Sequence, residues 1–191
     1  MNVAAILLAA GSASRFGSDK LLHVLPHGVP IAVQSARHLK AVVEKVVVVV
    51  RPGSVELQKA FQNESVETVV CEQADQGMGE SLACAVRVTT GDAFLIALAD
   101  MPFIRPTSIE AVRDALASGA PLVAPYFHGR RGHPVGIAAL FRKKMEQLSG
   151  DEGAKKLLAS HADKLVKIPV GDPGVLRDID KPSDLSPPLV V

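Results

Sequence analysis

Short apolar runs rich in β-branched residues recur along the chain and predict the strands of a sheet. The clearest run, Val46–Val50, is five consecutive valines, which is typical of a strand buried on both faces. Five runs of this kind predict strands at Val3–Leu8, Lys45–Val50, Val66–Cys71, Ala93–Leu98 and Leu122–Pro125.

The stretches between these runs have the apolar spacing of helices. Ile31–Val43 carries one apolar stripe and follows Pro30, a residue suited to a helix start. Thr107 and Glu110 have the spacing of a capping box, which predicts a helix from there through Leu116. Further helices are predicted over Ser54–Phe61, Glu80–Val88, Leu140–Leu148 and Gly153–His161, with added strands at Pro134–Ala138, expected to be antiparallel, and Leu165–Val170.

Alternation of strand and helix predicts right-handed crossovers and a mostly parallel sheet covered on both faces. We therefore expect a three-layer α/β/α fold, with residues 1–185 as a single domain and 186–191 as a C-terminal tail. Ligands of such sheets bind past the carboxyl ends of the strands, which directs attention to Ala9–Lys20, Ala99–Pro102 and the segment around Asp178–Asp180.

Composition excludes several classes of protein. The 191 residues include 21 Lys and Arg against 20 Asp and Glu, so bulk positive charge for binding nucleic acid is lacking. Aromatic residues are only 4%, too few for a base-stacking platform. Two cysteines without ligand spacing predict buried thiols, and the apolar run Val3–Ala10 is too short to span a bilayer. We expect a cytoplasmic protein without nucleic-acid or membrane partners.

The loop after the first strand has small residues followed by two cations. Gly11 lets backbone N–H groups approach a polyphosphate, and Arg15 and Lys20 can neutralise its charge. The loop is neither a P-loop, because position 16 is Phe, nor a dinucleotide fingerprint, because position 13 is Ala. A glycine turn beside solvated charges is the alternative interpretation.

Acidic residues occur directly after one predicted strand and again in a segment further along the chain. Asp100 follows the apolar run Ala93–Leu98, where a carboxylate can hold Mg²⁺ together with phosphate oxygens; a turn or capping role is the alternative. Asp178 and Asp180 lie two positions apart. We expect them to point to opposite faces of an extended segment, so that at most one of them, Asp180, faces the metal.

Several motifs in order carry a resemblance to a known family. They are Leu8–Lys20, Gly77–Leu82, Ala99–Pro102, Arg131–Val135, Gly150–Ala154 and Asp178–Pro182. The sequence resembles the MobA-like nucleotidyltransferases, and within them the molybdenum cofactor cytidylyltransferases. The resemblance implies a Rossmann-like fold of the nucleotide-diphospho-sugar transferase type.

The resemblance also implies a reaction and a set of residues. The terminal phosphate of a molybdenum-pterin cofactor attacks the α-phosphorus of CTP and expels pyrophosphate, with Mg²⁺ as cofactor. Arg15, Lys20 and Asp100 are the implied catalytic residues, and Asp100 and Asp180 the implied metal ligands. The implied nucleotide-binding residues are Leu8, Ala9, Ala10, Gly11, Gly79, Ser81 and Leu82. Arg131 and His133 are the implied acceptor-binding residues, and a solvated hairpin is the alternative for them.

Two other functions stay open. Transfer of GMP, or transfer of a nucleotide to another sugar or alcohol phosphate, would use the same loop, although Ala10, where the guanylyl-transferring branch tends to have Gly, disfavours a purine. The other alternative is a non-catalytic carrier or maturation chaperone for a molybdenum hydroxylase. If the protein is instead an enzyme, the same hydroxylase would receive its product. The set Arg15, Lys20, Asp100 and Asp180 favours the enzyme.

Overall fold

The computed structural model of the chain describes residues 1–11, 20–151 and 153–185. Within these residues one sheet has eight strands: β1 (Val3–Leu8), β2 (Lys45–Val50), β3 (Glu67–Val70), β4 (Ala93–Leu98), β5 (Leu122–Phe127), β6 (Arg130–Arg131), β7 (Val135–Ala138) and β8 (Leu165–Pro169). Their order is β3-β2-β1-β4-β7-β5-β6, and β8 also pairs with β5.

The sheet is mostly parallel, as predicted. β2 and β4 run parallel to β1 on either side of it, β3 runs parallel to β2, and β8 runs parallel to β5. β7 is antiparallel to both β4 and β5, which confirms the expectation for this added strand. The apolar runs at β1, β2 and β4 have the predicted bounds because these central strands are buried along almost their whole length.

Helices cover both faces of the sheet and give the predicted three layers. The α-helices of the described residues are α1 (Ile31–Lys40), α2 (Val55–Asn63), α3 (Met78–Val88), α4 (Pro106–Ala117), α5 (Arg142–Met145) and α6 (Ala154–Ser160). One apolar cluster joins α1, α2 and α4 to one face of the sheet, through side chains such as Leu39, Leu57 and Val112. A second cluster joins α3, α5 and α6 to the other face, through Leu82, Met145 and Leu157.

Two helix predictions are wrong in detail. The stretch predicted as one helix over Leu140–Leu148 contains a 3₁₀ turn, Ala139–Phe141, followed by the short α5. The capping box is absent, because α4 already begins at Pro106 and no side chain of its own first turn caps it. Its cap comes instead from Asp172, whose Oδ2 accepts hydrogen bonds from the Arg105 N–H at 2.9 Å and the Ser108 hydroxyl at 2.8 Å.

No helix in the described part of the chain has both the length and the apolar character needed to cross a membrane.

Candidate active site

A cavity of about 870 Å³ opens at the carboxyl ends of β1, β2 and β4. Ligands of parallel α/β sheets bind in crevices at this edge. Its described lining consists of Leu8, Ala9, Ala10, Gly11, Lys20, Leu21, Arg51, Pro52, Glu72, Ala74, Asp75, Gly77, Met78, Ser81, Leu98, Asp100, Asp151 and Asp180. Eight of the residues selected from the sequence are in this set, so the fold brings distant segments to one place.

The remaining selected residues lie elsewhere. Leu82 is fully buried against the sheet, and Gly79 packs against the backbone of residue 149, so neither lines the cavity. Arg131 is exposed on β6, and His133 lies just before β7. Arg15 falls outside the described residues.

Lys20 connects the two halves of the candidate site. Its Nζ donates to Asp100 Oδ2 at 2.9 Å and to Asp180 Oδ1 at 3.3 Å. The Lys20 side chain is only 12% exposed and that of Asp100 only 23%, so this ion pair is largely shielded from water. Two carboxylates eighty positions apart therefore meet at one cation, the Lys20 ammonium, and the metal site expected at these two acids stays a prediction.

Burial and ion pairing shift the pKa values of Asp100 and Lys20 in different ways. At Asp100, burial dominates and raises the pKa of the carboxyl, although the charge of Lys20 works against this shift. At Lys20, burial lowers the pKa, but Asp100 and Asp180 together more than offset it and the net pKa is raised. Lys20 therefore stays protonated throughout the neutral range.

Asp178 also belongs to the acidic cluster. One carboxylate oxygen from each of Asp100, Asp178 and Asp180 lies within 4.8 Å of the others. The expectation that Asp178 and Asp180 point to opposite faces is therefore wrong. Side chains two residues apart in extended backbone share a face, and here the buried Ile179 points the other way.

Backbone contacts fix the segment that carries these two acids. Ile179 N–H donates to the Asp100 carbonyl at 2.9 Å, and His133 N–H donates to the Val175 carbonyl at 2.9 Å. At the start of the segment, Asp172 is 3% exposed and caps α4. Backbone contacts of neighbouring residues thus bring the acids to Asp100, in addition to the ion pair between Asp180 and Lys20.

The acidic cluster fits a divalent cation. Carboxylate oxygens are the ligands that Mg²⁺ and Mn²⁺ prefer, and three of them lie close enough together to share one ion. In addition, Asp100 Oδ1 is buried and has no hydrogen-bond partner among the described residues. A buried carboxylate oxygen without a partner is costly, and a bound cation would satisfy it.

Glycines shape the opposite wall of the cavity, at the start of α3. Gly79 N–H donates to the Gly150 carbonyl at 2.7 Å. A Cβ on Gly77 would lie 2.4 Å from the carbonyl carbon and oxygen of Gly150, and one on Gly79 would lie 2.7 Å from Ser149. This close approach holds Asp151 at the cavity, which this residue lines.

Sequence reasoning also missed Arg51, which lines the cavity and donates to the Gly11 carbonyl at 2.8 Å. Arg51 directly follows β2, so the rule that selected Asp100 after β4 could have selected it too. Glu72 and Asp75 follow β3 in the same way.

His133 is half-buried and does not line the cavity. Burial lowers the pKa of its ring, while a hydrogen bond with the Ile96 backbone and the charge of Asp178 act in the opposite direction. Its Nδ1 is buried without a hydrogen-bond partner in the described structure. Asp178 thus affects the electrostatics of both Asp100 and His133.

A mostly parallel sheet with a cavity at its carboxyl edge, where a shielded lysine meets converging carboxylates, fits the nucleotide-binding class of α/β domains. The chain belongs to the family of MobA-like NTP transferase domains, whose model matches residues 5–165.

One curated relative is similar to most of this chain. The bifunctional protein GlmU of Dinoroseobacter shibae is 34% identical over 173 residues, which cover 84% of this chain and 38% of that protein. The chain thus spans well under half the length of this relative.

Solved structures are similar over nearly the whole chain. Rv0371c from Mycobacterium tuberculosis H37Rv has a TM-score of 0.85 at 20% identity, covering 96% of this chain and 94% of that one. A structure of Rv0371c in complex with manganese has a TM-score of 0.81. Molybdopterin-guanine dinucleotide biosynthesis protein A from Archaeoglobus fulgidus has a TM-score of 0.69 at 18% identity, covering 97% and 95%. At these identities the likeness shows the fold.

Proposed function

We propose that the protein transfers CMP from CTP to the terminal phosphate of a molybdenum-pterin cofactor. An oxygen of that phosphate attacks the α-phosphorus of CTP, a new P–O bond forms, the bond to the bridging oxygen breaks, and pyrophosphate leaves. This chemistry requires in-line positioning and neutralisation of charge, with little covalent participation by the protein.

One observation carries the proposal: Lys20 joins Asp100 and Asp180 at the cavity edge where strand ends converge. In the proposed reaction Lys20 donates to the α-phosphate as its charge develops. Mg²⁺ held by Asp100 and Asp180 would supply positive charge against the transferring phosphate. Arg15, which lies outside the described residues, is proposed to hold the β- and γ-phosphates.

The nucleotide is proposed to lie along the glycine-bearing turn after β1. Leu8, Ala9, Ala10 and Gly11 line the cavity there, and Ser81 lines it from α3. Leu82 and Gly79 would act indirectly, because they seat α3 against the sheet and against residues 149–150. The choice of CTP rests on Ala10, whose methyl group narrows the space beside the base more than a glycine would.

The acceptor is proposed to approach from the other side of the acidic cluster. Arg131 is exposed and can meet the phosphate of the pterin cofactor. His133 offers a half-buried ring whose Nδ1 is itself buried and has no hydrogen-bond partner within the described residues. Asp178 acts electrostatically on both His133 and Asp100, so nucleotide and acceptor are proposed to meet at the acids. A molybdenum hydroxylase is the proposed recipient of the product.

The proposal is tested by incubating the protein with the molybdenum-pterin cofactor, Mg²⁺ and each triphosphate in turn. We expect pyrophosphate release and a cofactor heavier by one CMP, with CTP preferred over GTP, ATP and UTP. A strong preference for GTP would instead support the guanylyl-transferring reaction. Release of no pyrophosphate with any triphosphate, together with tight binding of the cofactor, would support a carrier.

A further inference from the structure

The ammonium group of Lys20 lies where a metal ion would be expected. Its Nζ is 2.9 Å from Asp100 Oδ2 and 3.3 Å from Asp180 Oδ1. Asp178 contributes a third carboxylate oxygen to the same cluster. The lysine therefore neutralises acids that would otherwise repel one another at this short range.

We propose that Lys20 is a built-in competitor of the divalent cation: it holds the acids when the cavity is empty and moves to phosphate oxygens when metal and nucleotide enter together. This inference rests on the proposed function, which supplies the phosphates. It gives Lys20 a second role, that of suppressing metal binding in the absence of nucleotide.

The competition follows from charge at short range. A divalent ion bound to Asp100 and Asp180 would lie within a few ångströms of the ammonium, where like charges repel strongly because the shielded site screens them far less than bulk water does. A metal ion that binds alone must therefore displace the lysine and leave its charge without these partners. Nucleotide phosphates offer the displaced ammonium new acceptors, so metal and nucleotide should bind with positive coupling.

The charge of the cavity favours joint entry as well. Among the described lining residues, five carboxylates face two cationic side chains, Lys20 and Arg51. Arg51 is already committed to the Gly11 carbonyl. A triphosphate without a metal ion would meet repulsion from these acids, and a metal ion without a triphosphate would meet Lys20.

The test measures Mn²⁺ binding without nucleotide, by electron paramagnetic resonance of free Mn²⁺ at mildly alkaline pH. Lys20→Met keeps the length of the side chain and removes its charge, so we expect Mn²⁺ affinity to rise about tenfold or more. Lys45→Met is the matched control, since Lys45 begins β2 at the opposite edge of the sheet, and it should leave the affinity unchanged. Unchanged or weaker Mn²⁺ binding in folded Lys20→Met would overturn the inference.

A second measurement uses the wild-type chain, in case Lys20→Met does not fold. In a crystal structure with Mn²⁺ and CTP bound, Nζ should have left both Asp100 and Asp180 and should contact phosphate oxygens. Mn²⁺ bound to these acids while both lysine contacts persist would contradict the competition.

The proposed function and this inference can fail separately. If the wild type releases no pyrophosphate from any triphosphate but Lys20→Met binds Mn²⁺ more tightly, only the proposed function fails. If the wild type transfers CMP but Lys20→Met leaves Mn²⁺ affinity unchanged, only the inference fails.

Discussion

The two walls of the cavity are built by different physical means. At one wall, Lys20 holds carboxylates from two distant segments by charge. At the other, Gly77 and Gly79 bring the start of α3 against the backbone of residues 149–150, with no room for a side chain between them. The first arrangement can exchange one cation for another, whereas the second fixes the shape of the cavity.

This difference separates chemistry from geometry. A substitution at the acidic wall should mostly change turnover and metal binding, because the cost of burying the Lys20 and Asp100 charges offsets much of the free energy gained by pairing them. A substitution at the glycine wall should mostly change stability, because close-packed backbone cannot yield without moving a loop.

The largest expected effect is on turnover at the acidic wall. Asp100→Asn keeps the shape of the side chain and removes the negative charge that pairs with Lys20 and that would bind the metal. We expect kcat/KM for CMP transfer to fall by about three orders of magnitude, the loss typical of removing a preorganised electrostatic group. Pyrophosphate release under steady-state conditions measures it.

Asp92→Asn is the matched control, because Asp92 precedes the strand that Asp100 follows. Its Oδ2 accepts a hydrogen bond from the Asn2 N–H at 2.8 Å, at the end of β4 remote from the cavity. Turnover should be unchanged in this variant. Should Asp100→Asn still transfer CMP at the wild-type rate, the acidic wall is not the catalytic one.

The next largest effect is on stability at the glycine wall. Gly77→Ala places a Cβ 2.4 Å from Gly150 backbone atoms at a φ of +126°, so steric overlap and backbone strain act together. We expect the free energy of unfolding to fall by about 3 kcal/mol or more. Denaturant titration followed by circular dichroism measures the loss.

Substitutions at two other glycines separate the effect of steric overlap from the effect of backbone strain. Gly79→Ala adds overlap with Ser149 without a positive φ, and Gly53→Ala adds strain at φ +79° with nothing within 4 Å. Each should cost roughly 1–3 kcal/mol, less than Gly77→Ala. A wild-type-like stability for Gly77→Ala would mean that residues 149–151 move aside easily, and the contrast between the walls would disappear.

Local sequence patterns predicted the strands of the sheet and the position of Asp100 better than they predicted the contacts between distant segments. β1, β2 and β4 follow from apolar runs, and Asp100 follows from its place after β4. The cap on α4 could not be predicted, since Asp172 lies more than sixty positions from Arg105 and Ser108.

The glycine wall shows the same limit. Gly77 and Gly79 were selected as part of a family motif, but the residues they pack against lie about seventy positions later. Asp178 was the avoidable error, because the alternation of Asp178, Ile179 and Asp180 already placed both acids on one side.

The smallest expected effect is a dependence of stability on pH at the acidic wall. Burial raises the pKa of Asp100 above the value of about 3.9 that is usual for Asp in an unfolded chain. The folded protein therefore takes up a proton at higher pH than the unfolded chain does. This group therefore contributes its stability at low pH, and the contribution is lost as pH rises from about 4 through the folded pKa. Asp100→Asn cannot ionise and should be more stable than the wild type above this window, by about 1 kcal/mol or less.

Melting temperatures at a series of pH values would measure this difference and distinguish the two walls once more. The gain of Asp100→Asn over the wild type should shrink below about pH 4, where the wild-type carboxyl is also neutral. The loss in Gly79→Ala should be the same at every pH, since the overlap is with Ser149 backbone atoms, which do not titrate. If Asp100→Asn were less stable than the wild type at neutral pH, pairing with Lys20 would outweigh burial, and the acidic wall would contribute to folding after all.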